Sequence, residues 1–364
     1  QKKYRGNLLL ENFQGKIQAI NYLDMEQYLY GVVGAEMGPG APEEAYKAQA
    51  IVSRTYAYYC KEHPQLNYDL GVSTQWQVYG GYDNEVLSSS LVKKAVDDTR
   101  GQVIYYDREL IQAFFHSNSG GYSEACENVW SASLPYLQPV VTPEDAIAMQ
   151  VAQGGSWSAE TYLWEKSFSR QELMKQLEKW NRAHPNNAVN VGEIYEIVVK
   201  RWAVNPQTKE FLAKETASGR VTQLNFLGSK GMKSFYRDSI RSVLDLRSTL
   251  FEVICDSTVK IWNAFGSLDV FSYANDLKAV TADGYITKLN GNSENYYVLG
   301  ADGLQMVPKF FSKVTFKGKG YGHGLGMSQW GAWGMALRGA KYQEIIEHFY
   351  NQDKHDGRLR IQSY

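Results

Sequence analysis

"GKGYGHGLGMSQWGAWGMAL" runs from Gly318 to Leu337, with glycine at every second position from Gly318 to Gly326. Glycine loses more backbone freedom on ordering than any other residue, so five in alternation imply a demand for space or for an unusual backbone. The run leads straight into a helix-like segment, "MSQWGAWGMAL". Tyr321 and His323 project from the glycines, and Gln329, Trp330 and Trp333 follow on the helix. Such a stretch suits one wall of a groove, where backbone passes closely against a ligand or a second chain segment. The opposite wall then has to come from elsewhere in the sequence.

The best candidate for that wall lies almost 300 residues earlier. In "LDMEQYLYGVVGAEMGPG", Asp24 and Gln27 resemble a capping box, and Met25, Tyr28, Leu29, Val32 and Val33 recur at helical spacing. "GPG" at 38–40 ends that helix. Glu36 therefore falls at an apolar helix end, flanked by Val32, Val33, Ala35 and Met37. Desolvation raises the pKa of such a carboxyl, and a helix C-terminus also disfavours its anion, as a general acid requires. A solvated glutamate at a helix terminus has the same local pattern. A second helix follows, opened by Pro42, Glu43 and Glu44, with Ala45, Ala48, Val52, Thr55 and Tyr59 as its expected buried stripe.

Further along, "QVIYYDRELIQAFF" reads as a hairpin turning at 107–109, which delivers the chain to "HSNSGG", His116–Gly121. Ser117, Asn118, Ser119, Gly120 and Gly121 offer hydroxyls, an amide and close backbone approach, all suited to sugar hydroxyls; an ordinary turn has the same composition. His116, Cys126 and His323 could meet as metal ligands, but their spacing supplies no full ligand set, and no metal or cofactor is expected. Between 151 and 308 the texture is mainly β, apart from one helix, "SRQELMKQLEKW". Strands are expected in "IYEIVVKRW", "GRVTQLNFLG" and the stretch from Val259 to Leu304, with no internal repeat.

Composition bounds these readings. The 364 residues are enough for two domains, with 38 basic and 39 acidic side chains, so no overall field draws the protein to nucleic acid. The 26 Tyr and 9 Trp suit either sugar stacking or tyrosine-rich strands. Three cysteines with no CxxC fit neither a disulfide framework nor a structural zinc motif. The fold class expected is α+β: a discontinuous core of helices and antiparallel strands from 1–150 and 309–364, with a mainly β insertion at 151–308.

Together, "MEQYLYGVVGAEM", "EEAYKAQAIVSRTYAYY", "FHSNSGGYSEACENVW", "YRDSIRSVLDLRSTLFEV" and "GYGHGLGMSQWGAWGMAL" resemble, in order and spacing, the stage II sporulation protein D family, which includes amidase-enhancer proteins. The resemblance implies a lytic transglycosylase acting on peptidoglycan glycan strands stripped of stem peptides, outside the cytoplasmic membrane. Its catalytic glutamate would be Glu36. Ser117, Asn118, Ser119, Gly120, Gly121, Tyr321, His323 and Gln329 are the expected substrate-binding residues. Some relatives hold zinc near the serine-glycine loop, but this chain has Ser119 within that loop and Tyr122 after it, so zinc is not carried over. The sequence opens on Gln1, so an export signal or anchor is expected upstream, and a cell-wall amidase is the expected partner. The alternatives are a non-catalytic wall-binding amidase activator, a metal-dependent wall hydrolase, and a two-carboxylate hydrolase using Glu124 or Glu127.

Overall fold

In a computed structural model of the chain, residues 2–88, 90–151, 159–262, 265–271, 277–280, 283–288, 295–300 and 303–364 are described. Parts of the strands expected between Val259 and Leu304 lie outside these residues. The chain divides into two compact units. One comprises 1–127, 132–162 and 320–364; the other comprises 128–131 and 163–319.

The first unit is built on two helices, α1 (Met25–Met37) and α2 (Glu43–Glu62). Asp24 caps α1 by accepting from the N–H groups of Glu26 and Gln27, which satisfies donors that a helix start leaves open. Tyr28, Leu29, Val32, Val33 and Met37 of α1 pack with Ala45, Tyr46, Ala50 and Ala57 of α2, and with Trp330 and Trp333. Every residue of α2 from Ala48 to Ala57 is buried, so its polar side chains need internal partners. Arg54 makes a bidentate pair with Glu26 (2.9 and 2.6 Å) and donates to the carbonyls of Val96 and Gln102. Tyr59, expected in the buried stripe, is only half-buried and stacks on His63.

Two helices absent from the sequence reading, Tyr82–Leu87 and Ser90–Asp98, pack on this pair. Strand Gln102–Tyr106 lies between Glu109–Leu110 and the C-terminal strand Leu359–Ser363, antiparallel to both, with Ile104 opposite Ile361. The hairpin turn falls as expected, Asp107 and Arg108 adopting left-handed φ of 51° and 72°. The first unit thus closes only when the chain's last strand returns to it.

The second unit has its own core. Two three-stranded antiparallel sheets, Phe251–Cys255/Lys313–Lys319/Leu163–Ser169 and Gly231–Tyr236/Gln223–Gly228/Ile194–Lys200, bury Phe168, Phe226, Phe235 and Phe316 with helix Arg170–Ala183. A capping box of Ser169 and Glu172 opens that helix. Beyond these sheets come three successive two-stranded hairpins, with strands at 259–271, 278–288 and 295–308. Gly266 and Gly284 in the first two turns, and Gly303 at the start of the last strand, all have positive φ and fall 18 and 19 residues apart. That spacing is a structural repeat, where the side chains showed none.

Helices combine with antiparallel strands throughout, so the α+β class holds. A short parallel pair joins Met327–Ser328 to Phe115–His116. Among the described residues no helix is long and apolar enough to cross a membrane.

Candidate functional site

The glycine run explains itself once its neighbours are placed. Gly320, Gly322, Gly324 and Gly326 all have positive φ, between 65° and 115°. A Cβ on Gly320 would stand 2.7 Å from the carbonyl oxygen of Asn118, and one on Gly326 would stand 2.0 Å from that of Phe114. Both the left-handed backbone and the close approach exclude any other residue at these positions. The run therefore lies directly along segment 114–120, with Asn118 and Tyr321 exchanging backbone hydrogen bonds of 3.0 and 2.8 Å.

A buried carboxylate fastens this pairing to the next helix. Asp145 accepts from the N–H groups of Ser119 and Gly121 (both 3.1 Å), from the Thr142 hydroxyl (2.7 Å) and from the Ser328 hydroxyl. Burial pushes its pKa up, and these four donors oppose the rise. Ser328 is also the N-cap of helix Gln329–Leu337, accepting from Gly331 N–H. One anion thus joins the serine-glycine loop to the start of that helix.

The helix start then reaches two sites with consecutive residues. The Gln329 amide donates to Glu36 Oε2 (3.1 Å), while Trp330 N–H donates to the Ser117 carbonyl (3.0 Å). Glu36 Oε1 accepts from Val78 N–H at 2.5 Å. Glu36 is half-buried, and both of these donors are neutral. Its pKa is raised, chiefly by desolvation, against the lowering influence of the Val78 and Gln329 donors. A carboxyl so placed keeps its proton to a higher pH than an ordinary glutamate and, once the proton leaves, sits as an anion facing two donors.

The remaining expected site residues separate by accessibility. Ser117, Gly121 and His323 are half-buried and Tyr321 is exposed, so all four have surface to offer. Asn118 and Ser119 are fully buried and committed internally. The Asn118 amide donates to the Asp145 carbonyl and its oxygen accepts from Gly120 N–H; Ser119 bonds His116. Those two side chains, with Gly120, shape the loop and do not line open surface. Gln329, too, is nearly fully buried.

His116 Nδ1 lies 3.0 Å from the Leu325 carbonyl, which can only accept, so Nδ1 carries a proton. In the neutral ring Nε2 then accepts from the Ser119 hydroxyl at 2.9 Å. This arrangement resembles a serine–histidine dyad, but burial of both side chains leaves it a fastening. The His116 and His323 rings lie 5.4 Å apart. Among the described residues no group of three or more His, Cys, Asp or Glu is placed to hold a metal ion. Glu124 is fully buried and accepts from Ala125 N–H, which removes it from contact with a substrate.

Sequence reasoning missed Asp145, Val78 and three buried polar residues behind Glu36: Gln49, Ser53 and Gln77. Asp145 and Val78 carry no local signal. Gln49 and Ser53 do, because they lie one turn apart on a helix whose neighbouring positions are apolar.

Comparison with known proteins bears out the recognition drawn from the motifs. A family model described as stage II sporulation protein matches residues 13–106, which hold α1, α2 and Val78. The chain is 26% identical over 351 residues to an uncharacterized protein of Brachyspira hyodysenteriae, covering 96% of this chain and 71% of that protein. It is 28% identical over 322 residues to the amidase enhancer of Bacillus subtilis, covering 88% of this chain and 39% of the enhancer. Stage II sporulation protein D of Bacillus amyloliquefaciens is 24% identical over 345 residues, with 91% and 74% covered. The chain is thus similar to stage II sporulation protein D along most of its length, and it spans well under half of the amidase enhancer.

Proposed function

We propose that the chain is an extracytoplasmic, cell-wall-acting lytic transglycosylase in which Glu36 serves as both acid and base. The observation that carries this reading is the setting of Glu36: a half-buried carboxyl with a raised pKa and two neutral donors directed at its oxygens. Ordinary glycosidases need two carboxylates, one for the leaving group and one for water or covalent attack. A single carboxyl suffices when the nucleophile is the muramyl sugar's own C6 hydroxyl. Glu36 gives its proton to the glycosidic oxygen as the bond to the anomeric carbon breaks. The carboxylate so formed takes the C6 hydroxyl proton as that oxygen bonds the anomeric carbon, giving a 1,6-anhydro end without consuming water.

General acid–base assistance contributes about 10²–10⁴-fold, so sugar positioning must supply the rest. Ser117, Gly121, Tyr321 and His323 are the accessible residues for that task, on a loop and a run that Asp145 holds together. Glu36→Gln is expected to leave binding of stem-peptide-free glycan intact and to abolish the anhydro product, read by mass spectrometry of the digest. Wild-type turnover by that variant removes Glu36 from the mechanism, and products heavier by one water identify a hydrolase.

One comparison favours a second reading, a wall-binding activator of an amidase: the 28% identity to a protein named amidase enhancer. On that reading purified protein yields no product from denuded glycan and stimulates an added cell-wall amidase.

A further inference from the structure

Behind Glu36 the helix α2 carries two polar residues one turn apart, Gln49 and Ser53, both fully buried. Gln49 Nε2 donates to Ser53 Oγ at 2.9 Å, which turns its carbonyl oxygen toward Gln329. The Gln329 nitrogen lies 3.5 Å from that oxygen and 3.1 Å from Glu36 Oε2. Gln77 donates to the Ser53 carbonyl and backs the same turn of α2. A glutamine can present either its NH₂ or its carbonyl by rotating half a turn, and its neighbours decide which.

We propose that Gln49 is a positioning residue for Glu36, holding the Gln329 amide with its NH₂ toward the carboxyl. Two oxygen acceptors claim the two hydrogens of one nitrogen. Rotating the Gln329 amide would set its carbonyl against both acceptors, and burial excludes water that might compensate. The consequence rests on the acid–base reading of Glu36. An NH₂ favours the carboxylate, the form that appears only as the proton leaves, so the donor is set in advance for charge that develops during reaction. Without Gln49 the Gln329 amide is free to turn, and its carbonyl then accepts from the protonated acid and holds the proton back.

The test is direct titration of the Glu36 carboxyl by ¹³C NMR, assigned with Glu36→Gln, in wild type and in Gln49→Met, a near-isostere that cannot hydrogen-bond through an amide. Tyr28 on α1 is the ionisable group coupled to Glu36, and burial pushes its phenol far above the range scanned. The Glu36 pKa should rise by about half to one unit in Gln49→Met, and the alkaline limb of anhydro-product formation should move with it. KM for glycan should change by less than about twofold, because Gln49 does not touch substrate. Gln329→Met should give at least as large a rise, and adding Gln49→Met to it should give none further. Ser53→Ala, which releases Gln49, should shift the titration the same way by less, and it carries the test if Gln49→Met does not fold. An unchanged Glu36 titration in the folded variant, or a Gln49→Met shift that persists in the Gln329→Met background, overturns the proposal. The titration needs no turnover, so absence of anhydro product in every variant would sink the enzyme reading alone.

Discussion

Glu36 and Asp145 are both carboxyls with pKa values raised by desolvation, yet their surroundings differ. Asp145 meets four donors from the loop, the Thr142 turn and the helix N-cap, and has no exposed surface. Removing it strands those donors, so Asp145→Ala should cost at least about 3 kcal/mol in denaturant-measured stability. Glu36 meets two donors and keeps surface open. For a carboxyl whose folded pKa lies above its unfolded one, stability is fully present below the unfolded value and declines as pH rises through the folded value. Relative to wild type, Glu36→Gln should therefore gain stability as pH rises above the ordinary glutamate value of 4.5, measured by thermal unfolding at a series of pH values. Anhydro-product formation should show the matching limb, falling as pH rises through a midpoint above the ordinary glutamate value of 4.5. Glu36 stood out in the sequence as an acid at an apolar helix end, a pattern a solvated glutamate shares, and the family resemblance is what singled it out. Asp145 was not, since nothing in "TPEDA" reveals donors arriving from residues 119, 121 and 328.

The elements that periodicity announced are present: α1, α2 and the Arg170–Ala183 helix. The Ser90–Asp98 helix escaped notice because its buried stripe, Val92, Ala95 and Val96, spans barely more than one turn. The three hairpins of the second unit hid their repeat in glycines, whose signature is a backbone angle and not a side chain. The glycine run itself permits a sharp comparison. Gly15 and Gly326 both have positive φ, but a Cβ at Gly15 meets nothing within 4 Å, whereas one at Gly326 meets the Phe114 carbonyl. Gly15→Ala should cost about 1–2 kcal/mol for the left-handed backbone alone. Gly326→Ala should cost more by the price of the collision, and the difference in urea midpoints measures how tightly the run is packed.

At the scale of the molecule, the alternation of textures was visible in the sequence, while the ties that complete each unit were not. Segment 128–131 belongs with the second unit: the Asn128 amide oxygen accepts from Val204 N–H (2.7 Å), and the Val129 carbonyl from Asp238 N–H (3.3 Å). Residues 163–319 expressed alone should nonetheless fold, because their aromatic core is self-contained, and should melt cooperatively by circular dichroism. Residues 1–162 alone should not, since Trp330, Trp333 and the Leu359–Ser363 strand are missing from their core and sheet. The Glu36–Gln329 contact joins residues 293 apart in sequence. A ribosome makes Glu36 long before Gln329, so a chain stalled or clipped between them carries the glutamate without its amide partner. The long separation makes that contact a mark of synthesis through residue 329, since any shorter polypeptide holds the carboxyl without its amide donor.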